Sequence, residues 1–328
     1  MIEQKSKPFP LPINYFGIIL GLSALSLAWR YATPLCEGAT LVSESLFAVS
    51  AMIWLAFIGA YAYKWFKSHQ QLKADLQHPL LGNFVSLIPI TTILIGIGLV
   101  PYNMLFGLVP YNMLFGIVLI SLGITIQLAF ATYYIPAMWR GIHQAEMTLP
   151  AIYLPTVATN FVSATALGVL GYSELGMVFL GAGFFSWLVL EPIVLQRLRT
   201  LQPVPEPLRP MIGIQLAPAF VGCSAYLTLN GGKLDLFALM LLGYGVLQLL
   251  FLIRLLPWIF VNGFTPAMWA FSFGLASMAK VALLFYQNTA DNLLATLSLA
   301  LFIFANFSIG LMLLNTGYLV LKGRFFIK

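Results

Sequence analysis

The stretch PAMWAFSFGLASMAK, residues 266–280, places Phe271 and Phe273 ahead of Gly274 and closes on Lys280. Inside an apolar run these side chains have a narrow chemistry. An ammonium attracts anions, and an aromatic ring either packs or obstructs. The seven residues from Phe273 to Lys280 turn a helix through about 700°, within about 20° of a whole number of turns, so both lie on one face about 10 Å apart along the axis. A lysine cannot face lipid cheaply; it faces a cavity or a partner, or its stem carries the charge to the nearby interface. In the first arrangement Phe273 looks into the same lumen as Lys280. In the second, Phe273 is ordinary helix packing. The residues alone leave both open. Phe271 lies about 200° away around the helix and falls off that face in either case.

The remaining chemistry is sparse. There is no HExxH, no phosphate-binding Gly-rich loop and no CxxC, and Cys36 and Cys223 define neither a metal site nor a disulfide framework. His69, His78 and His143 are scattered near loops on one side of the chain's spans. Glu191, in VLEPIVLQRLR, reads as an interfacial charge cluster with Arg197 and Arg199 rather than as a proton relay. Asn160, Gln127 and Asn306 are uncharged polar residues within apolar runs, where interhelical hydrogen bonds are their usual use. Nothing resembles a chain of buried carboxylates for proton coupling. The pattern implies no cofactor and argues against a membrane enzyme.

The elements that must carry these residues are membrane spans. Of 328 residues 60% are hydrophobic and 8% charged, against roughly a quarter charged in soluble domains. Apolar segments near 13–30, 41–63, 84–102, 113–138, 152–171, 175–196, 211–229, 236–258, 266–287 and 292–321 give ten spans. The expected class is an all-α polytopic membrane protein, with one ten-helix domain over 1–328 and short tails at 1–12 and 322–328. MIEQKSKPFPLP is too polar for a signal peptide, so the first span is expected to remain. Ten spans put both termini on one side. Thirteen basic residues fall there, from Lys5 to Lys328, and only Arg30 and Lys233 fall opposite. Positive residues stay inside, so both termini are expected to be cytoplasmic. The net charge of +6 is then a topology signal and needs no nucleic-acid partner.

Two regularities organise the spans. Pro89, Pro155 and Pro218 recur at intervals of 66 and 63 residues in the odd spans 3, 5 and 7, while Gly17 and Gly21 in span 1 and Gly274 in span 9 stand in their place. The even spans carry Pro136, Pro192 and Pro257 toward their cytoplasmic ends. The chain therefore reads as five helical hairpins, with the odd helices kinked. A kink frees backbone groups that lipid cannot satisfy, so five odd helices are expected to ring a central pore, with the even helices outside. The second regularity is GLVPYNMLFGLVPYNMLFG, in which Gly98–Phe106 recurs unchanged at Gly107–Phe115. Nine residues inserted in a helix rotate it by about 900°, half a turn net, whereas loops absorb insertions cheaply. Each Val-Pro-Tyr-Asn suits an interfacial turn, so the repeat is expected as a tolerated duplication at the outer end of spans 3 and 4, with either copy able to form the turn.

KPFPLPINYFGIILG, FVSLIPITTILIG, YLPTVATNFVSA, FLGAGFFSWLVLEPIVLQRLR, IQLAPAFV and MWAFSFGLASMA resemble, in order and spacing, the family of bacterial TehA-type tellurite-resistance proteins, plant guard-cell slow-type anion channels and fungal malate transporters. The resemblance covers essentially the whole chain. It implies ten helices in five hairpins around a pore, a homotrimer with a pore in each subunit, and an inner-membrane channel for small inorganic anions. It also implies occlusion by a phenylalanine of the ninth helix, a role that falls on Phe273. The nine-residue duplication and Lys280 depart from that family's pattern. The rival is a carrier, either a secondary transporter of dicarboxylates or an exporter of toxic anions or cationic dyes. A carrier should show coupling carboxylates at mid-membrane, and the near absence of intramembrane acids counts against it.

Overall fold

The computed structural model describes residues 11–67, 75–101, 109–142 and 144–326. Ten of its helices are long and apolar enough to cross a membrane: α1 (Ile13–Arg30), α2 (Ala39–Lys67), α3 (Leu81–Leu99), α4 (Met113–Gly141), α5 (Pro150–Val169), α6 (Ser173–Thr200), α7 (Glu206–Leu229), α8 (Leu236–Ile259), α9 (Pro266–Asn288) and α10 (Asn292–Leu321). The protein is an all-α polytopic membrane protein, and no strand occurs among the described residues.

Odd and even spans are different objects. In their most apolar windows 67–94% of odd-span residues are buried, against 28–39% of even-span residues. Each odd span packs on the even span that follows it, giving five hairpins. The odd spans also touch one another in a closed cycle, α1 to α3, α3 to α5, α5 to α7, α7 to α9 and α9 back to α1. The inner ring and outer layer expected from the proline spacing are both present.

The two classes also differ in backbone. The even spans contain continuous α-helices of 24–30 residues. The odd spans are regular α-helix for only 11–17 residues, at Phe16–Arg30, Leu87–Leu99, Thr159–Val169, Ala217–Leu229 and Ser272–Asn288. They open with shorter or irregular turns, including 3₁₀ segments at Ile13–Tyr15, Pro150–Tyr153, Glu206–Leu216 and Pro266–Phe271, a π segment at Leu154–Ala158 and a separate short helix at Leu81–Phe84. Gly17, Pro89, Pro218 and Gly274 are each the second or third residue of the regular α-segment, and Pro155 is the second of the π segment. They mark where tight winding gives way to α-helix. Proline is tolerated there because first-turn N–H groups have no intrahelical acceptor to lose.

The first and last described segments meet on the face where the odd spans begin. The Tyr15 hydroxyl donates to the Phe325 carbonyl over 2.9 Å, and the two rings stand 4.9 Å apart. The described parts of the doubled motif sit at the opposite face, at the ends of α3 and α4. Residues 102–108 lie outside the described residues, but Val109–Phe115 of the second copy is helical, opening the Val109–Ala137 helix. The second copy therefore does not form the turn, and Met113–Phe115 belong to span α4. The first copy begins at Gly98 inside α3, where the carbonyl accepts from Arg30 Nη2 at 2.9 Å. A Cβ on Gly98 would stand 2.0 Å from the Phe47 ring.

Candidate functional site

Along the axis of the odd-helix ring lie two small cavities. The one nearer the terminal face, of about 30 Å³, is walled by all five odd spans, among them Gly17, Leu87, Tyr153, Pro218 and Phe273. The one nearer the opposite face, of about 40 Å³, is again walled by all five, through Leu27, Leu94, Thr165, Ser224 and Lys280 among others. Two side chains belong to both walls, Val221 and Phe273. The Phe273 ring thus lies at the boundary between the chambers. A water needs about 10–15 Å³ of such space, so each chamber admits a few waters and neither is a wide aqueous vestibule.

Phe273 is held there by its helix's close contacts. A Cβ on Gly274 would come within 2.8 Å of Leu216 Cβ, and one on Gly21 within 2.3 Å of Ser272 Cβ. Only glycine permits these approaches of α9 to α7 and α1. Ser272 Oγ also donates to the Gly17 carbonyl at 3.0 Å. Phe271 points elsewhere. Its ring packs over Gly213 and lines a separate apolar groove bounded by α7, α8, α9 and α10.

Lys280 is 7% exposed. Its Nζ donates to Thr228 Oγ1 at 2.9 Å and stands 5.0 Å from the Tyr31 ring centroid. Lys280 belongs to the wall of the second chamber, whereas Thr228, on α7, and Tyr31, just past α1, lie outside that wall.

Glu191 is where the structure departs from the sequence reading. It is buried, and no cation pairs with it among the described residues. Its Oε2 accepts from the Tyr153 hydroxyl at 2.7 Å and Trp187 Nε1 at 2.9 Å; its Oε1 accepts from Gln215 Nε2 at 2.6 Å, the Tyr244 hydroxyl at 2.6 Å and Gln248 Nε2 at 3.2 Å. These five donors come from α5, α6, α7 and α8. Arg197 turns away, donating to the Glu146 and Gln202 carbonyls, and Arg199 is exposed. There is no charge cluster; a carboxylate is saturated by neutral donors and knots four helices behind Tyr153. Sequence reasoning missed it because four of the five partners have no local spacing to Glu191.

The other polar residues divide. Gln127 donates to Ser163 Oγ across α4 and α5, and Trp29 donates to Asn306 across α1 and α10. Asn160 instead bonds within its own span to the Thr156 carbonyl, next to the π segment. His78 Nδ1 accepts from the Leu80 and Leu81 amides, while His69 and His143 lie outside the described residues. Cys36 is exposed and Cys223 buried, and both are free thiols.

Comparison with known proteins adds a lineage to this geometry. The voltage-dependent anion channel (SLAC1) family model matches residues 10–317. A tellurite resistance protein TehA homolog of Haemophilus influenzae is 46% identical over 324 residues, which is 98% of this chain and 95% of that protein. The S-type anion channel SLAH2 of Arabidopsis thaliana is 23% identical over 296 residues, covering 86% of this chain and 54% of the plant protein. The guard cell S-type anion channel SLAC1 of the same plant is 23% identical over 239 residues, or 70% and 42%.

Proposed function

Since this chain belongs to the voltage-dependent anion channel (SLAC1) family, we propose that it is a passive inner-membrane channel for small monovalent inorganic anions, closed at rest by the Phe273 ring. The family is one of anion channels and not of enzymes. The observation that carries the reading is the position of Phe273 in the walls of both axial chambers. In this reading residues 1–328 form one channel domain with cytoplasmic tails at 1–12 and 322–328, and three copies assemble as a homotrimer with a pore in each subunit. The thirteen basic residues on the terminal side support that orientation. A link to tellurite resistance comes from the name of the 46% identical relative.

Anion selection follows from the lining. The lumen is mostly apolar, so an ion entering it loses hydration, and the anions that dehydrate most cheaply pass best. Lys280 adds a positive potential at one end. Conduction needs binding favourable enough to enter and weak enough to leave. Glu191 does not support a proton-coupled carrier, because both its oxygens are already filled by donors.

The test is reconstitution in proteoliposomes, with current and reversal potential measured under an anion gradient. The Phe273→Ala channel is expected to conduct at least tenfold more than the parent, with a reversal potential that follows the anion gradient alone. Phe271→Ala should leave conductance near the parent value. If Phe271→Ala opens the pore and Phe273→Ala does not, the occluding ring has been misassigned. Flux that is stoichiometrically coupled to protons would sink the channel reading in favour of a carrier.

A further inference from the structure

Lys280 poses a charge problem that the protein leaves unsolved. Its ammonium is buried and has three N–H donors, yet its hydrogen-bond partner among the described residues is one neutral hydroxyl, Thr228 Oγ1 at 2.9 Å. No carboxylate pairs with it among those residues. Beyond that hydroxyl the ammonium has, among the described residues, only the face of the Tyr31 ring, 5.0 Å away; a buried charge without a counter-charge is costly, and a bound anion would supply that counter-charge. The chamber beside it supplies a place. On α9, Ser277 precedes Lys280 by three residues and Phe273 by four in the other direction, so all three project to one side. Ser224 projects into the chamber from α7, one turn before Thr228. The Oγ atoms of Ser224 and Ser277 make no hydrogen bond with any other described residue, whereas Thr165 spends its proton on the Phe161 carbonyl at 3.0 Å. Lys280 and two serines with uncommitted hydroxyls thus line a cavity of about 40 Å³ with Phe273 as its floor.

We propose that this chamber is a binding site for a single small monovalent anion, a halide or nitrate, coordinated by Lys280 Nζ and the Ser224 and Ser277 hydroxyls. One formal positive charge and two neutral donors match one negative charge. The cavity holds about three waters, which suits one such ion with part of its hydration. The proposal rests on the channel reading for its functional consequence: once Phe273 is removed the site stands in the conduction path, and occupancy makes conductance saturate.

The probe is bromide. Anomalous diffraction from crystals of the intact protein in sodium bromide should show a bromide peak beside Lys280 Nζ. Lys280→Gln should abolish it, and Ser277→Ala, whose hydroxyl holds no other described residue, should weaken it. In the Phe273→Ala background bromide conductance should saturate with concentration, and Lys280→Gln should raise the half-saturating concentration at least fivefold. A wild type with no peak in the chamber overturns the site, as does a peak that persists unchanged in Lys280→Gln. If Phe273→Ala conducts while the chamber shows no bromide, only this site falls. If bromide binds at Lys280 but Phe273→Ala carries no current, the site stands and the channel reading falls.

Discussion

Replacing Tyr244 with Phe removes one oxygen from the Glu191 knot and little else. The hydroxyl makes two contacts, donating to Glu191 Oε1 at 2.6 Å and accepting from Gln248 Nε2 at 2.7 Å. The first is a bond to a charged group, worth about 1.5–3 kcal/mol net, and the second is neutral, worth about 0.5–1.5 kcal/mol. Gln248 keeps its direct contact with Glu191 at 3.2 Å, so no donor is orphaned. The expected loss is about 2–4.5 kcal/mol. At roughly 2 °C per kcal/mol for a chain of this size, the apparent Tm should fall by about 4–9 °C. Scanning fluorimetry of the detergent-solubilised protein at one fixed scan rate measures it, since unfolding of such proteins is commonly irreversible. A double-mutant cycle with Glu191→Leu separates the bond from packing. The Tyr244 ring also stands 5.5 Å from Trp187, a contact that Phe retains. The reasoning is refuted if Tyr244→Phe melts within 1 °C of the parent, or if its effect is undiminished when Glu191 is absent.

Three other outcomes are expected. Deleting residues 107–115 gives the same chain as deleting 98–106; it keeps a glycine at the Arg30 contact and a phenylalanine before Gly116, with five residues between Gly98 and Met113, a normal helix-hairpin connection. Expression and Tm should hold within about 2 °C, about 1 kcal/mol at this size, and loss of folding would show that the second copy's helical turn is required. Gly21→Ala should destabilise by about 1–3 kcal/mol through overpacking, because its Cβ would meet Ser272 at 2.3 Å, whereas Gly181→Ala, with nothing within 4 Å, should not; equal Tm changes in the two would contradict the close-approach account. Asp235 caps α8 by accepting from the Ala238 amide at 3.1 Å, and its hydrogen bond from Tyr226 holds its carboxyl below the usual carboxylate range. A depressed folded-state value contributes stability above the unfolded value, near pH 4, that is lost as pH falls through the folded one; the Tm gap between the parent and Asp235→Ala should therefore shrink on acidification below about pH 4, and a gap constant with pH would refute it.

The architecture was readable because its signals are periodic. Pro89, Pro155 and Pro218 recur once per hairpin, and a closed ring of odd spans is what their backbone demands in lipid. The face shared by Phe273 and Lys280 was readable because seven residues is nearly a whole number of turns. What spacing could not decide was the destination of that face, since snorkelling and lumen exposure use the same residues; the contacts of Lys280 with Thr228 on α7 and Tyr31 just past α1 come from segments far away in sequence. The Glu191 knot was invisible for a related reason. Trp187 is one turn away, but Tyr153, Gln215, Tyr244 and Gln248 lie 24–57 residues off in sequence. The neighbouring Arg197 and Arg199 offered a nearer and mistaken explanation. The duplication left open which copy turns, because Val-Pro-Tyr-Asn suits a turn and also suits a helix start, where proline is equally at home.

The enclosure of α9 has a consequence in time. Its apolar window is 94% buried, the most of any span, and the approaches at Gly21 and Gly274 leave no slack for it to roll or slide. Rotation of the whole helix would be a collective motion of microseconds to milliseconds, whereas a side-chain rotamer change is far faster. Phe273 has free volume on both sides, in the two chambers, while its backbone has none. In the proposed channel, passage past it would be governed by torsion about χ1 of one residue. A current record should then show brief flickers without memory between them, and no long-lived intermediate levels.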